Sequence, residues 1–216
     1  MPQFLFLLIE AIYFVLGILA MINTLRSWRE NKNRVLIAIS IYVGAVLLRS
    51  LIDIFIYSAD FNLDIILGGY LSLGMVIGNI LFIIQVEFMF YLKKLTKLYT
   101  LPIIINFYII MGRILVDSII PFIIYAMIVS YVSAYNLIKD GRKKRNGLAI
   151  GMGLFFLLYG LGQTINIEII FVIFKTVAML ALYLGTRGFY EKYVWPDEKM
   201  EEKILTTWIS KLVIKE

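Results

Sequence analysis

The sequence predicts an all-α membrane protein, a bundle of seven transmembrane helices with an amphipathic tail. Hydrophobic residues make up 61% of the 216 residues, and the mean hydropathy is +0.87. A chain of this composition has more apolar surface than a soluble domain can bury. Seven apolar stretches each approach the ~20 residues that a helix needs to cross a bilayer. All but three of the 21 Lys and Arg residues lie in alternate gaps between these stretches or in the tail.

The first three predicted helices cover residues 4–25, 35–57 and 65–92. The first is followed by basic residues and has no positive segment before it, so we expect a retained helix and not a cleaved signal peptide. The second is a continuous apolar stretch. The third is long enough to tilt or to extend beyond the lipid.

The remaining predicted helices cover residues 98–116, 119–138, 147–164 and 167–186. Only Asp117 and Ser118 separate the fourth from the fifth, which indicates a tight helical hairpin. Pro102 and Pro121 fall in the first turns of these two helices, where proline is tolerated. Gly147 and Gly151 in the sixth helix form a small-residue pair that predicts close contact with a neighbouring helix, as do Gly74 and Gly78 in the third.

The basic residues predict the orientation. They follow the first, third and fifth helices and continue in the tail, as Arg26, Arg29, Lys32, Arg34, Lys93, Lys94, Lys97, Lys139, Arg142, Lys143, Lys144, Arg145, Arg187, Lys192, Lys199, Lys203, Lys211 and Lys215. The other gaps contain no cation. By the positive-inside rule the N terminus is outside and the C terminus is cytoplasmic, in a multi-pass protein of the plasma membrane.

We divide the chain into a transmembrane domain, 1–188, and a cytoplasmic tail, 189–216. Trp195 and Pro196 begin a helix-start signal, and apolar residues recur at helical spacing from Met200 to Val213. Such an amphipathic helix lies on the cytoplasmic leaflet or docks through residues 197–216 onto a partner protein.

Two residue types are absent. Without Cys there are no disulfides, thiolate metal sites or cysteine nucleophiles, and without His the common zinc, haem and Ser-His chemistries are excluded for this chain alone. We expect no enzyme activity, no cofactor and no metal. The cations lie beside helix ends, so they indicate headgroups and not nucleic acid.

Charges inside the apolar stretches mark the candidate site, because each one is costly in lipid and usually faces protein or water. Arg49 and Asp53 are four residues apart and share a helix face. Lys175 has no such local partner, and in a closed ring it could reach Glu10 or Asp53. The predicted polar cavity in the outer half also includes Arg113, Asp117, Gln163, Asn166 and Glu168.

Two other interpretations of these polar residues remain open. In the first, the charges form buried ion pairs that orient helices without binding a ligand. In the second, Arg113 is no part of a site, because it lies near a helix end and its side chain can extend to the lipid headgroups. Gln85 and Glu87, nearer the cytoplasmic end of the third helix, mark a possible inner polar site.

The seven-helix plan, the short loops and the segment AYNLIKDGRKKRNGLAIGMGLFFLLYG (134–160) resemble the membrane sensor modules of prokaryotic receptor kinases. The resemblance implies sensing of a small ligand or of the membrane, with the output passed through the tail or a partner. Lys175 also resembles the retinal-binding lysine of microbial rhodopsins. However, Phe171 stands where those proteins usually carry Asp, and the sixth helix lacks their Trp and Pro.

These features lead to a non-enzymatic sensor or accessory subunit as the first functional hypothesis. A small transporter or a proton or ion relay that uses the same charges is the alternative. A retinal-binding protein through Lys175 is the second alternative.

Overall fold

The computed structural model describes residues 3–59, 73–93, 95–98, 100–116, 120–164 and 168–194. This part of the chain is almost entirely helical and contains no strand. The predicted tail helix lies outside the described residues, as do Trp195 and everything after it. Gly74 and Gly78 lie on a helix that the structure describes, but their surroundings do not belong to the described part, so their predicted helix contact stays a prediction.

The described residues form seven long helices, one 3₁₀ turn and one short helix. Their bounds are α1 Gln3–Asn31, α2 Arg34–Ala59, α3 Leu73–Leu92, α4 Leu101–Val116, α5 Ile120–Lys144, α6 Gly147–Thr164, α7 Glu168–Thr186 and α8 Phe189–Tyr193, with the 3₁₀ turn at Thr96–Leu98 before α4. The bounds of α4 and α6 agree with the predicted ones within three residues.

The prediction was wrong about two helix ends. It ended the first helix at Leu25 and the fifth at Ile138, but α1 continues to Asn31 and α5 to Lys144. The basic residues that we expected in loops therefore lie on the last turns of these helices. A helix C-terminus carries partial negative charge, so cations there stabilise the helix instead of ending it.

Three described helical segments, Phe4–Asn31, Arg34–Ile52 and Ile169–Thr186, are long and apolar enough to cross a membrane. Shorter apolar segments lie at Asn79–Leu92, Leu101–Gly112 and Gly147–Gly162. Many large apolar side chains face outward, including Phe4, Leu115 and Tyr108, which are 78%, 79% and 71% exposed. Such a surface is compatible with a membrane protein.

The long helices are neighbours in chain order around the bundle. α1 packs on α2 and on α7, α7 on α6, and α6 on α5. α3 contacts α2, α4 and α5, so it links α2 to α5 and closes the ring of neighbouring helices. The first and last long helices are thereby side by side, which brings residues far apart in sequence into contact.

Cross-helix contacts fix the relative directions of α1, α2 and α7. Ser50 contacts Glu10, and Ser40 contacts Thr24, so α2 runs antiparallel to α1. Asn23 on α1 donates a hydrogen bond to Thr186 at 3.2 Å, while Lys175 lies against Glu10. α7 therefore runs parallel to α1.

The α6–α7 contact is close because it consists of glycines. A Cβ atom on Gly151 would lie 2.8 Å from the Ala181 carbonyl oxygen and 3.0 Å from the Gly185 Cα, and a Cβ on Gly185 would lie 2.9 Å from the Gly147 carbonyl oxygen. The prediction that Gly147 and Gly151 allow close helix contact is confirmed. Their partner, Gly185, was not identified from the sequence.

The basic helix ends lie together at one end of the bundle, here called the basic end. α1 ends there, α2 and α6 begin there, and α5 and α7 end there, as the antiparallel contacts require. A hydrogen-bonded ion pair of 2.7 Å between Lys93 and Asp140 joins the end of α3 to α5 at the same level.

Candidate functional site

The most buried charges of the described residues form one ion pair between α1 and α7. The Lys175 Nζ lies 2.5 Å from the Glu10 Oε1, and the two residues are 3% and 0% exposed. Lys175 is seven residues after the start of α7, which places it about 10 Å along the helix. The pair therefore lies inside the bundle, away from both helix ends.

Ser50 completes the coordination of the Glu10 carboxylate. Its hydroxyl donates a hydrogen bond of 2.5 Å to the Glu10 Oε2, and Ser50 is 1% exposed. One carboxylate oxygen thus faces the ammonium of Lys175 and the other faces a hydroxyl from α2. Three helices meet at this one carboxylate, which makes Glu10 the centre of the site.

Aromatic rings cover the lysine. The Lys175 Nζ lies 4.7 Å from the centre of the Tyr13 ring and 5.8 Å from the centre of the Phe171 ring. Tyr13 is three residues after Glu10 and Phe171 is four before Lys175, so each ring shares a helix face with one member of the pair. Cation–π contacts with the buried Tyr13 ring and the half-buried Phe171 ring add to the ion pair.

An aromatic cluster extends from this site across α6 to α2. Tyr159 contacts Phe171 and stacks on Phe155, with ring centres 6.0 and 5.5 Å apart. Tyr42 on α2 meets the edges of Phe155 and Phe156. These rings form a packed apolar layer at the centre of the bundle, next to the ion pair.

A buried pair of this kind is sensitive to loss of either partner. Removing one member leaves an uncompensated charge and costs about 3–5 kcal/mol, whereas replacing both by apolar residues of similar volume is often neutral. The pair thus contributes little net stability but penalises any rearrangement that separates α1 from α7. A state in which α1 and α7 separate needs new partners or water for both charges.

The other predicted outer-site residues divide into two groups. Arg49 is half-buried and precedes Ser50, and its Nε is shielded from solvent. The side chains of Asp53, Arg113, Asp117, Gln163, Asn166 and Glu168 lie outside the described residues. The structure therefore brings Glu10 and Lys175 together and leaves the rest of the expected cavity as a prediction.

The two residues of the expected inner polar site, Gln85 and Glu87, both lie on α3. Gln85 is 2% exposed, whereas Glu87 is only half-buried. Residues two apart point about 200° away from each other on a helix, so these side chains occupy different faces. The inner polar site therefore stays a prediction.

Sequence reasoning missed Ser50 and Tyr13, which contact the pair directly. It also missed Asn106 on α4, which is 1% exposed and donates hydrogen bonds to the Pro102 carbonyl oxygen at 2.8 Å and to the Tyr125 hydroxyl at 3.2 Å. Serine and tyrosine are common in apolar helices, so their types carried no signal. Only the spacing of Tyr13 from Glu10 indicated a shared face.

Among the described residues, no group of three or more acidic residues is placed to hold a metal ion. No protein family, characterised protein or solved structure matches this chain. The functional interpretation therefore rests on the residues and their geometry.

Proposed function

We propose that this protein is a non-enzymatic sensor or accessory subunit with seven membrane-spanning helices, N terminus outside and C terminus cytoplasmic, in the cell membrane. The basic end then faces the cytoplasm. The observation that carries the proposal is the closed Glu10–Lys175 pair, which joins α1 to α7 through buried charges. A ligand or a change in the membrane that competes for either charge would shift the position of α1 against α7.

The pair is suited to such a switch because its two states differ in electrostatics. In the closed state Lys175, Glu10 and Ser50 satisfy one another out of contact with solvent. In the open state the charges need other partners, so a polar or charged effector has a differential affinity for that state. The movement of α7 reaches the segment that follows it at the basic end, from which a partner protein could receive the signal.

A proton or ion relay remains the second candidate, and Tyr13 favours it. The Tyr13 hydroxyl is buried and makes no hydrogen bond with any described residue. A polar group next to an intramembrane carboxylate and ammonium is a typical feature of relay sites. Against this candidate, the aromatic rings of α2 and α6 pack closely beside the pair.

Spin-label distances test the switch directly, because the chain has no native cysteine. Labels at Ile12→Cys on α1 and Val177→Cys on α7 occupy positions 47% and 46% exposed, near the level of the pair. In reconstituted protein we expect one narrow distance distribution. Glu10→Gln should add a second, longer distance, and the milder Ser50→Ala should add a smaller fraction of it.

Asp140→Asn is the matched control, because it removes one partner of the exposed Lys93–Asp140 pair. It should leave the α1–α7 distance unchanged. An unchanged distribution in Glu10→Gln and in Ser50→Ala, with folded protein, would contradict the switch.

Proteoliposomes with an internal pH dye separate the two candidates. The sensor proposal predicts no proton flux above that of protein-free vesicles, whereas a relay predicts flux that Glu10→Gln abolishes. A visible absorption band that disappears on treatment with hydroxylamine and in Lys175→Met would instead indicate a retinal imine.

A further inference from the structure

A second site lies on the outer surface of the bundle, on the α5–α6 side and away from the ion pair. It is a groove of about 640 Å³, within the range of small-molecule sites. We call it the α5–α6 groove and define it by its lining residues, Tyr131, Ala134, Tyr135, Ile138, Lys139, Arg142 and Leu157.

The groove has an apolar body and a cationic end. The lining residues of α5 run from Tyr131 to Arg142, a distance of about 16 Å along the helix. Lys139 and Arg142 are exposed, three residues apart and on one face of the last turns of α5. Tyr131, Ile138 and Leu157 supply the uncharged surface, which extends away from the basic end.

Close packing of α5 on α6 forms the base of the groove. A Cβ atom on Gly153 would lie 2.7 Å from the Ile138 Cγ1 and 3.1 Å from the Ala134 carbonyl oxygen. The two helix backbones therefore approach closely at this level. Leu157, one turn further along α6, is half-buried and faces the groove.

The two cations are available to a ligand. Asp140, between them in sequence, pairs with Lys93, and within the described residues neither Lys139 nor Arg142 forms an ion pair with a carboxylate. The Lys139 Nζ lies 5.5 Å from the centre of the Tyr135 ring, and both residues line the groove. Tyr135 itself is 64% exposed.

We propose that the α5–α6 groove binds one phospholipid with an anionic headgroup. The phosphate group of the negatively charged headgroup contacts Lys139 and Arg142. An acyl chain lies along Tyr131, Ile138 and Leu157. Basic pockets beside membrane helices on the cytoplasmic side bind anionic headgroups in this way. This inference rests on the membrane placement in the proposed function but is independent of the Glu10–Lys175 switch.

Charge complementarity argues for lipid over a second copy of the chain. A second copy would bring its own basic end to the same level and place like charges together. An anionic lipid instead neutralises both cations and covers an apolar surface of matching length.

Lipid retention tests the proposal with a matched pair of variants. Protein is reconstituted in bilayers of equal parts phosphatidylglycerol and phosphatidylcholine, extracted in mild detergent, and analysed by native mass spectrometry. We expect one retained phosphatidylglycerol. Lys139→Gln/Arg142→Gln should weaken its retention at least about tenfold, since each cation near an anionic headgroup contributes about 1 kcal/mol.

Lys143→Gln/Lys144→Gln removes the same charge from the same helix end but changes no lining residue of the groove. Its retention should fall by less than about threefold. Leu157→Trp fills the groove without changing charge and should also release the lipid, with circular dichroism and elution volume reporting that the variant remains folded.

Three results would overturn the site. Equal loss of phosphatidylglycerol from the two double variants would mean that the lipid is held by bulk charge attraction. Retention of phosphatidylcholine equal to that of phosphatidylglycerol would mean that the groove does not select the headgroup, and release of the lipid by inorganic phosphate would mean that the acyl chain does not contribute.

The outcomes also separate this inference from the proposed function. A failed Glu10 switch with intact lipid selection would contradict the proposed function alone. Loss of lipid selection with an intact switch would contradict this inference alone.

Discussion

Two ion pairs of similar length occupy opposite environments in this protein. Lys175 and Glu10 are almost fully buried at 2.5 Å, whereas the side chains of Lys93 and Asp140 are 36% and 44% exposed at 2.7 Å. Distance alone would rank them as equals. Burial decides their consequences, because water screens the exposed pair and cannot replace a lost partner in the buried one.

The first prediction compares single and double removal of the buried pair. Glu10→Gln keeps an acceptor for Ser50 but leaves the Lys175 charge without its carboxylate, so we expect a loss of about 3–5 kcal/mol in the free energy of unfolding. Lys175→Met should cost a similar amount. The double variant Glu10→Gln/Lys175→Met should recover most of the loss.

Denaturant unfolding in detergent, followed by circular dichroism, measures this cycle. Asp140→Asn serves as the exposed comparison and should cost less than about 1 kcal/mol. Additive losses in the double variant would mean that the two buried side chains do not interact in the folded protein.

The second prediction concerns pH. The hydrogen-bonded ammonium of Lys93 lowers the pKa of Asp140 below its ordinary value of 3.8. The contribution of Asp140 to stability is therefore complete above pH 3.8 and disappears as the pH falls through the lower, folded-state pKa. Unfolding of wild type and Asp140→Asn between pH 6 and pH 2.5 should show a small difference that closes only below pH 3.8.

At the scale of the elements, the beginning of α6 depends on the residue just before it and on one distant residue, Glu191 of α8. Asn146 caps the helix through its side-chain oxygen, which accepts a hydrogen bond of 3.0 Å from the Ala149 amide. The Gly147 amide donates to the Glu191 Oε1 on α8 at 2.5 Å. A carboxylate at a helix N-terminus also interacts favourably with the helix dipole.

The third prediction follows from this cap. Glu191→Ala should lower the free energy of unfolding by about 1 kcal/mol, because an amide of the first turn loses its acceptor. Glu191→Gln should cost less, since it retains an oxygen acceptor. Chemical denaturation measures both, and equal losses would assign the effect to packing instead of hydrogen bonding.

The fourth prediction concerns the glycine contact between α6 and α7. A side chain on Gly185 would meet the backbone at Gly147 and Gly151, which cannot move aside as a flexible side chain could. Gly185→Val should therefore separate the helices and lower the midpoint of thermal unfolding clearly. Gly112→Ala on α4 has nothing within 4 Å of the added Cβ and should be neutral or slightly stabilising.

At the scale of the whole molecule, the arrangement of the helices gathers the cations of distant segments at one end. Arg29 at the end of α1, Arg34 at the start of α2 and Lys144 at the end of α5 lie on turns that share this end. Each of these three helices has its other terminus at the opposite end of the bundle. A membrane with an anionic cytoplasmic surface would orient such a molecule.

The fifth prediction tests this orientation. Single cysteines can be introduced without background, because the chain has none. Asn33→Cys and Asn146→Cys, at the basic end, should react with a membrane-impermeant maleimide only after the cells are opened. Asn166→Cys, in a gap without cations, should react in intact cells, and labelling of Asn33→Cys and Asn146→Cys on opposite sides would contradict the bundle.

Sequence patterns alone predicted the helical fold class, most helix bounds and the separation of gaps that contain cations from gaps that contain none. These features are local, since hydrophobic periodicity and charge position can be read along a single helix. Helix packing alone established that Lys175 meets Glu10 with Ser50 and Tyr13 around them, and that Gly185 faces Gly151. Such neighbours depend on the rotation and packing of each helix against the others, which no single segment specifies.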